Sequence, residues 1–291
     1  MPRYGILVAV DGSIESDAAI AWAAEEAAMR KQPVTLMHVV APVVVTWPVR
    51  YLEAGYRRWQ DDHAELVVEL AQKVVEAAVG DSKVTIQCEV RHGTVAAELV
   101  AASKRATMTV SGSRGLGAVG AGLLGSVSRG LLHYARGPVA VIRPSDDAAD
   151  RTLPVLLGID GSPASEAATA FAFGEASRRG VDLVALHAWS DVSTVPPWGP
   201  EWHAYEQEGG EILAERLSGW QEQYPDVRVR RRILCDRPAQ WLIDESAHAQ
   251  LIVLGSRGRG GFARLLLGSV STAVAESSSP PVVVVRGAQR G

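Results

Sequence analysis

Two stretches of this 291-residue chain place glycines and hydroxyls at a spacing suited to holding an anion. In the first, Gly112-Ser113-Arg114-Gly115 is followed by nine residues and then by Gly125-Ser126-Val127-Ser128. In the second, Gly255-Ser256-Arg257-Gly258 is followed at the same spacing by Gly268-Ser269-Val270-Ser271. Glycine admits positive φ and lets backbone N–H groups approach a ligand with no Cβ in the way. Gly125-Ser126 and Gly268-Ser269 open predicted helices, whose unpaired N–H groups and dipole favour negative charge. The hydroxyls of Ser126 and Ser128 can add hydrogen bonds, and Arg114 and Arg257 can reach a phosphate. A loop this long suits a triphosphate.

A second feature falls beside each loop. Asp11 and Asp160 follow the first apolar strand of each half, in Asp-Gly-Ser. Such an aspartate can bond its own turn, or it can face a ligand and take a ribose hydroxyl. His38 and His187 lie within apolar strands, where a satisfied core or rim histidine is expected over a general base. Gly115-Leu116-Gly117-Ala118-Val119-Gly120 spells a dinucleotide fingerprint. It follows the fourth strand instead of the first and has no acidic partner about twenty residues on. No Gly-Lys-Ser/Thr triplet forms a Walker loop, and no paired Cys or His spacing suggests a structural metal. Cys88 and Cys235 are expected as small buried hydrophobes in a reducing cytosol.

The elements that position these residues come from a duplication. ILVAVDGS at 6–13 returns as VLLGIDGS at 155–162, an offset of 149 that His38 and His187 share. GSRG at 112–115 and LLGSVS at 123–128 return at 255–258 and 266–271, an offset of 143. The second copy therefore lacks six residues somewhere after its second strand. This gives two domains, 1–145 and 152–287, joined by an acidic linker. In the first, apolar strands are predicted at 4–10, 33–40, 83–90, 107–111 and 139–142. Helices are predicted at 14–30, 51–79, 94–104 and 125–135. The second repeats this with strands at 153–159, 181–188, 227–233, 250–254 and 282–285, and helices at 163–179, 203–223, 238–247 and 268–278. Short apolar strands alternating with helices predict an α/β fold, an open parallel sheet covered on both faces in each half. Ligands of such sheets sit beyond the strands' carboxyl ends, where strand order reverses.

Composition excludes little else. Hydrophobic residues make up 47% and charged residues 21%, with a net charge of −4. That balance gives no reason to expect nucleic acid as the main partner. The longest apolar stretch, 39–49, is broken by Pro42 and Pro48 and falls short of the ~20 residues that span a membrane. A cytoplasmic protein is expected. Trp47, Trp198 and Trp202 are expected to cover the core or the mouth of the cleft.

Taken together, the duplicated Gly-x-x-Gly, nine residues, Gly-Ser and the Asp-Gly-Ser turns resemble the universal stress protein family, in its tandem-domain ATP-binding, actinobacterial form. The resemblance covers nearly the whole chain. It implies two Rossmann-like, five-stranded parallel sheets of order 3-2-1-4-5, of the adenine nucleotide alpha hydrolase-like type. It implies ATP in two sites, with Mg²⁺ accompanying the triphosphate. By resemblance, Ala9 and Asp11 meet the nucleoside, and backbone atoms of Val39 bond the adenine edge. Ser111, Gly112, Ser113, Arg114 and Gly115 line the ribose and phosphates, and Gly125, Ser126, Val127 and Ser128 hold the phosphate tail. The second site becomes Gly158, Asp160, Ala188, Leu254, Gly255, Ser256, Arg257, Gly258, Gly268, Ser269, Val270 and Ser271. The change from Ser111 to Leu254 would make the two sites unequal.

The family also pairs domains edge to edge through final strands, here PVAVIRP and PVVVVRG. A pseudo-dimer of the two halves and a homodimer are thereby expected. The expected function is that of a nucleotide-dependent regulator of stress response and growth, acting with an unidentified protein partner and without membrane or nucleic acid. A slow ATPase or phosphotransferase, and a module for flavin or another adenylate, are the alternatives.

Overall fold

A computed structural model describes residues 3–42, 53–80, 82–116, 124–145, 150–188, 201–258 and 267–287. The chain divides into two compact units, Met1–Pro144 and Ser145–Gly291. The first unit runs β1 (Ile6–Val10), α1 (Ile14–Arg30), β2 (Val34–Val40), α2 (Glu53–Val79), β3 (Ile86–His92), α3 (Val95–Ser103), β4 (Met108–Gly112), α4 (Ser126–Tyr134) and β5 (Val139–Ile142). The second runs β6 (Val155–Gly158), α5 (Pro163–Arg179), β7 (Leu183–Ala188), α6 (Glu201–Gln223), β8 (Val229–Leu234), α7 (Pro238–Ser246), β9 (Leu251–Gly255), α8 (Ser269–Ser277) and β10 (Val282–Val285).

In unit 1, β1 pairs in parallel with β2 and β4, β2 with β3, and β4 with β5. Strand order is therefore β3-β2-β1-β4-β5. Unit 2 repeats it: β6 pairs with β7 and β9, β7 with β8, and β9 with β10, all parallel. Its order is β8-β7-β6-β9-β10. In each unit the chain winds outward from its first strand one way and returns to wind the other. β1 and β4, and likewise β6 and β9, flank the reversal. Right-handed crossovers then put α1 and α2 on one face and α3 and α4 on the other.

Burial follows this order. β4, β5 and β10 are buried at every position, and β1 at all but Ala9. The Ala-rich face of α1 (Ala19, Ile20, Ala23, Ala24, Ala27) is buried and allows close approach to the sheet. β3 and β8 are only partly covered, with sequences IQCEVRH and VRRRIL. This corrects the expectation for the cysteines. Cys88 is exposed and Cys235 is half-buried, because both belong to or follow the outermost strand of their unit's order. The linker residues 146–149 and Trp47 and Trp198 lie outside the described residues, as does the side chain of Trp202.

The structure also narrows the missing six residues. A Cβ on Gly12 would meet Val67, and one on Gly161 would meet Arg216, so these two helix residues correspond at the offset of 149. Leu183 is paired with Val229 where Val34 is paired with Ile86, so β8 already stands at 143. The shortening therefore falls between Arg216 and Val229, at the end of α6 and its connection to β8.

Candidate functional site

The turn after the first strand is built the same way twice. Ser13 caps α1 by accepting the Ser16 N–H at 3.1 Å, and Ser162 caps α5 by accepting that of Ser165 at 3.2 Å. Gly12 and Gly161 hold φ of +80° and +78°, a left-handed conformation that glycine adopts without a Cβ penalty. Asp11 Oδ1 accepts the Ser13 N–H at 3.0 Å and its hydroxyl at 2.6 Å. Asp160 Oδ1 accepts the Ser162 N–H at 2.9 Å. The turn-forming role of these aspartates is therefore real, and it occupies one carboxylate oxygen. The other faces the glycine loop, where Asp11 Oδ2 accepts the Leu116 N–H at 3.3 Å.

The histidines hold the same corner. Nδ1 of His38 donates to the Val10 carbonyl at 2.8 Å, and Nδ1 of His187 to the Ile159 carbonyl at 2.7 Å. A carbonyl can only accept, which fixes a proton on Nδ1 in both. Each is a rim histidine that anchors the strand end immediately before the aspartate.

The loop glycines have a reason other than the expected positive φ. None of Gly112, Gly115, Gly125 or their counterparts has φ > 0. Close approach requires them instead. A Cβ on Gly112 would stand 2.7 Å from the Glu15 backbone, and one on Gly255 2.8 Å from that of Ala164. A Cβ on Gly115 would collide with Asp11 Oδ2, and one on Gly258 would stand 2.5 Å from Asp160 Oδ2. The loop is thus pressed against the first helix and the carboxylate. Its neck is closed by Gly125 N–H to Ser113 O and Gly268 N–H to Ser256 O, both 2.8 Å.

The helix behind each loop differs from the helix behind each Asp-Gly-Ser turn. α4 and α8 have Gly125 and Gly268 at their N-cap positions, with no side-chain cap and no acidic residue in the first turn. Their leading N–H groups are available to an external acceptor. Ser126 and Ser269 are exposed there, and Val127 and Val270 half-buried. Ser128 is turned inward: its hydroxyl donates to the Gly112 carbonyl at 2.6 Å, as Ser271 does to Gly255 at 2.7 Å. The expected hydroxyl contribution of Ser128 is corrected accordingly, and what it can offer a ligand is its backbone. A nucleotide's phosphates fit this arrangement of uncapped helix, glycine-lined neck and exposed Ser126 or Ser269.

A family model for the Universal stress protein family matches residues 5–143 and again 152–286. The chain belongs to the universal stress protein family. It is 58% identical over 286 residues to a universal stress protein of Mycolicibacterium smegmatis, covering 98% of this chain and 97% of that one. It is 51% identical over 288 residues to universal stress protein Rv2005c of Mycobacterium tuberculosis, covering 98% and 97%. A universal stress protein structure from Archaeoglobus fulgidus matches with a TM-score of 0.73 at 22% identity, over 98% of both chains, a likeness of fold.

Within this universal stress protein fold, the ends of the central strands show how the copies diverged. Gly158 pairs with Leu254 across β6 and β9. A Cβ at Gly158 would collide with Leu254 and stand 3.2 Å from Leu242. The first unit has the reverse, Ala9 with a Cβ and the smaller Ser111 at the matching positions. The departure at Ser111 is therefore one half of a size exchange. Ser111 is 3% exposed and its hydroxyl has no hydrogen-bond partner, as is true of Ser113. Val39 lies one residue past the β1–β2 ladder, which ends at Val10 and His38, at the carboxyl ends of the strands. Ala188 occupies the same place in unit 2.

Several residues of the universal stress protein site were not singled out from the sequence. Ser16 Oγ accepts the Asp11 N–H at 3.3 Å, and Ser165 Oγ the Asp160 N–H at 3.1 Å. Their signal was present, since Asp-Gly-Ser-x-x-Ser recurs at the offset of 149. Leu116 acts through its backbone and leaves no signal. Glu15, 3.2 Å from Arg114, and Arg216, 3.3 Å from the Gly161 carbonyl, have no such repeat because their counterparts differ.

Proposed function

We propose that this universal stress protein binds ATP at both glycine-loop sites and works as a nucleotide-responsive regulator of stress response and growth, not as a catalyst. The observation that carries the reading is the duplicated pairing of an uncapped helix N-terminus with a glycine neck held against an aspartate. In each unit the pair sits where strand order reverses. Phosphates would lie at the leading N–H groups of α4 and α8, with Mg²⁺ accompanying them. The loop-facing oxygen of Asp11 or Asp160 would take a ribose hydroxyl, and the backbone of Val39 or Ala188 the adenine edge. Asp11 Oδ1 already accepts two hydrogen bonds from Ser13, which suits a recognition group better than a base.

The wider proposal is of a cytoplasmic protein that homodimerises and signals to a regulatory protein partner. The net charge of −4 supports neither nucleic acid nor an anionic membrane as partner. No helix among the described residues is long and apolar enough to cross a membrane. Isothermal titration with ATP and Mg²⁺, alongside mass spectrometry of whatever co-purifies, tests the reading. Two adenine nucleotides per chain are expected. Absence of heat, or a yellow protein carrying flavin, rejects it. Hydrolysis that disappears in Asp11→Ala and Gly115→Ala variants would establish an ATPase instead.

A further inference from the structure

The two sites repeat each other at Asp11 and Asp160, at the capping serines and at the loop arginines. Beside the Asp-Gly-Ser turns they differ in charge at two positions. Glu15 in the first turn of α1 corresponds to Ala164 in α5, and Val67 in α2 corresponds to Arg216 in α6. At these two positions unit 2 has one negative charge fewer and one positive charge more, while in sequence Leu116 and Ala121 become Arg259 and Arg264 in the loop and Arg129 becomes Thr272 behind it.

The consequences are visible in the ion pairs. In unit 1, Arg114 Nη2 lies 3.2 Å from Glu15 Oε1, with both side chains mostly withdrawn from solvent. The guanidinium that could meet a phosphate is therefore already neutralised. Asp17, one turn along the same helix, has its carboxyl pKa raised by burial and by the neighbouring Asp11. In unit 2, no ion pair joins Arg257 to a described acidic side chain. Arg286, at the end of β10, has its pKa lowered by burial and by the proximity of Arg257. Arg216 reaches the Asp-Gly-Ser turn, donating to the Gly161 carbonyl at 3.3 Å and lying 3.4 Å from Glu166. An anion at the second loop would meet Arg257 without displacing a described ion pair, whereas at the first loop it would compete with Glu15 for Arg114.

We propose that the two sites are divided by ligand charge: the unit 2 loop is the high-affinity site for a nucleoside triphosphate, and the unit 1 loop favours adenylates with fewer phosphates. The division rests on both loops being nucleotide sites. Arg257 supplies the preference in unit 2, and Glu15 opposes it in unit 1 by holding Arg114.

Titration of the full chain with ATP and with AMP, at low and high salt, tests this on wild type, Glu15→Gln, Arg257→Ala and Ala164→Glu. Wild type should show a tight and a weak class for ATP, the tight one more salt-sensitive. Freeing one charge-assisted contact shifts affinity about ten-fold. Glu15→Gln should therefore tighten the weak ATP class by about that factor and leave the tight class alone. Arg257→Ala should weaken the tight class by a similar factor and flatten its salt dependence, with a smaller effect on AMP. Ala164→Glu should weaken the tight class too. Because Ala164 is packed against Gly255, the Glu15 and Arg257 variants decide if that one fails to fold. Two equal ATP sites, or a Glu15→Gln variant that does not tighten binding, overturn the division while leaving the nucleotide reading intact. No ATP heat in any variant overturns both.

Discussion

At the scale of single residues, the glycine loop is explained by contact distances. Gly115 is glycine because Asp11 stands against its Cα, and Gly258 because Asp160 does. Gly115→Ala should consequently displace Asp11 or the loop, abolishing nucleotide binding in unit 1 while unit 2 still binds; stoichiometry by titration would fall from two to one. The size exchange makes a second prediction at this scale. Ser111→Leu should destabilise the protein by roughly 1–3 kcal/mol, the usual cost of overfilling a packed site. Ala9→Gly in the same chain should recover much of it, since Gly158 and Leu254 show the combination fitting. A double-mutant cycle in denaturant reads the coupling, and additive losses would contradict the exchange. The buried hydroxyl of Ser128 gives a simpler case. Ser128→Ala removes its bond to the Gly112 carbonyl and should cost about 1 kcal/mol.

At the scale of elements, α1 and α5 end differently at one matching position. Lys31 terminates α1 with φ of 52°, and Gly180 terminates α5 with φ of 64°, both left-handed. A side chain in that region costs roughly 1–2 kcal/mol. Lys31→Gly should therefore stabilise unit 1, by about 1 kcal/mol once the unfolded chain's extra freedom is subtracted. A higher denaturation midpoint with an unchanged slope is the expected measurement. Elements were also what the sequence revealed best. α1 and α5 span 14–30 and 163–179 as their apolar periodicity, Ser caps and Pro163 indicate. The inner strands announced themselves as unbroken apolar runs, because burial on both faces leaves no polar alternation. β3 was placed three residues early at its start and two at its end. An edge strand is half solvated, so its mixture of Gln, Glu, Arg and His carries a weaker signal, and Cys88 was misjudged for the same reason. In the site, duplicated residues were legible and the exceptions were not. Asp11, the loop glycines and the capping serines recur, whereas Glu15 and Arg216 matter through their difference from Ala164 and Val67. The direction of the Ser128 hydroxyl could be read only from the packed helix.

At the scale of the whole chain, each unit carries its own five strands, reversal point and loop, so ligand effects should be readable unit by unit. Hydrogen exchange provides the measurement. A bound triphosphate satisfies the leading N–H groups of α4 and α8, which have no side-chain cap. Saturating ATP should slow exchange at 111–116 and 125–129 and at 254–258 and 268–272. Adenosine lacks the phosphates; it should protect the ends of β2 and β7 around Val39 and Ala188 and leave the helix starts exchanging freely. A ligand at 100 times its Kd stabilises a folded unit by about 2.7 kcal/mol, which slows globally protected amides about a hundred-fold. In Arg257→Ala, at an ATP concentration that saturates only the tight class of wild type, protection should be lost at 254–258 and 268–272 alone. Equal protection by adenosine and ATP at the helix starts would mean that the phosphates do not lie there, and the anion reading of both loops would fall.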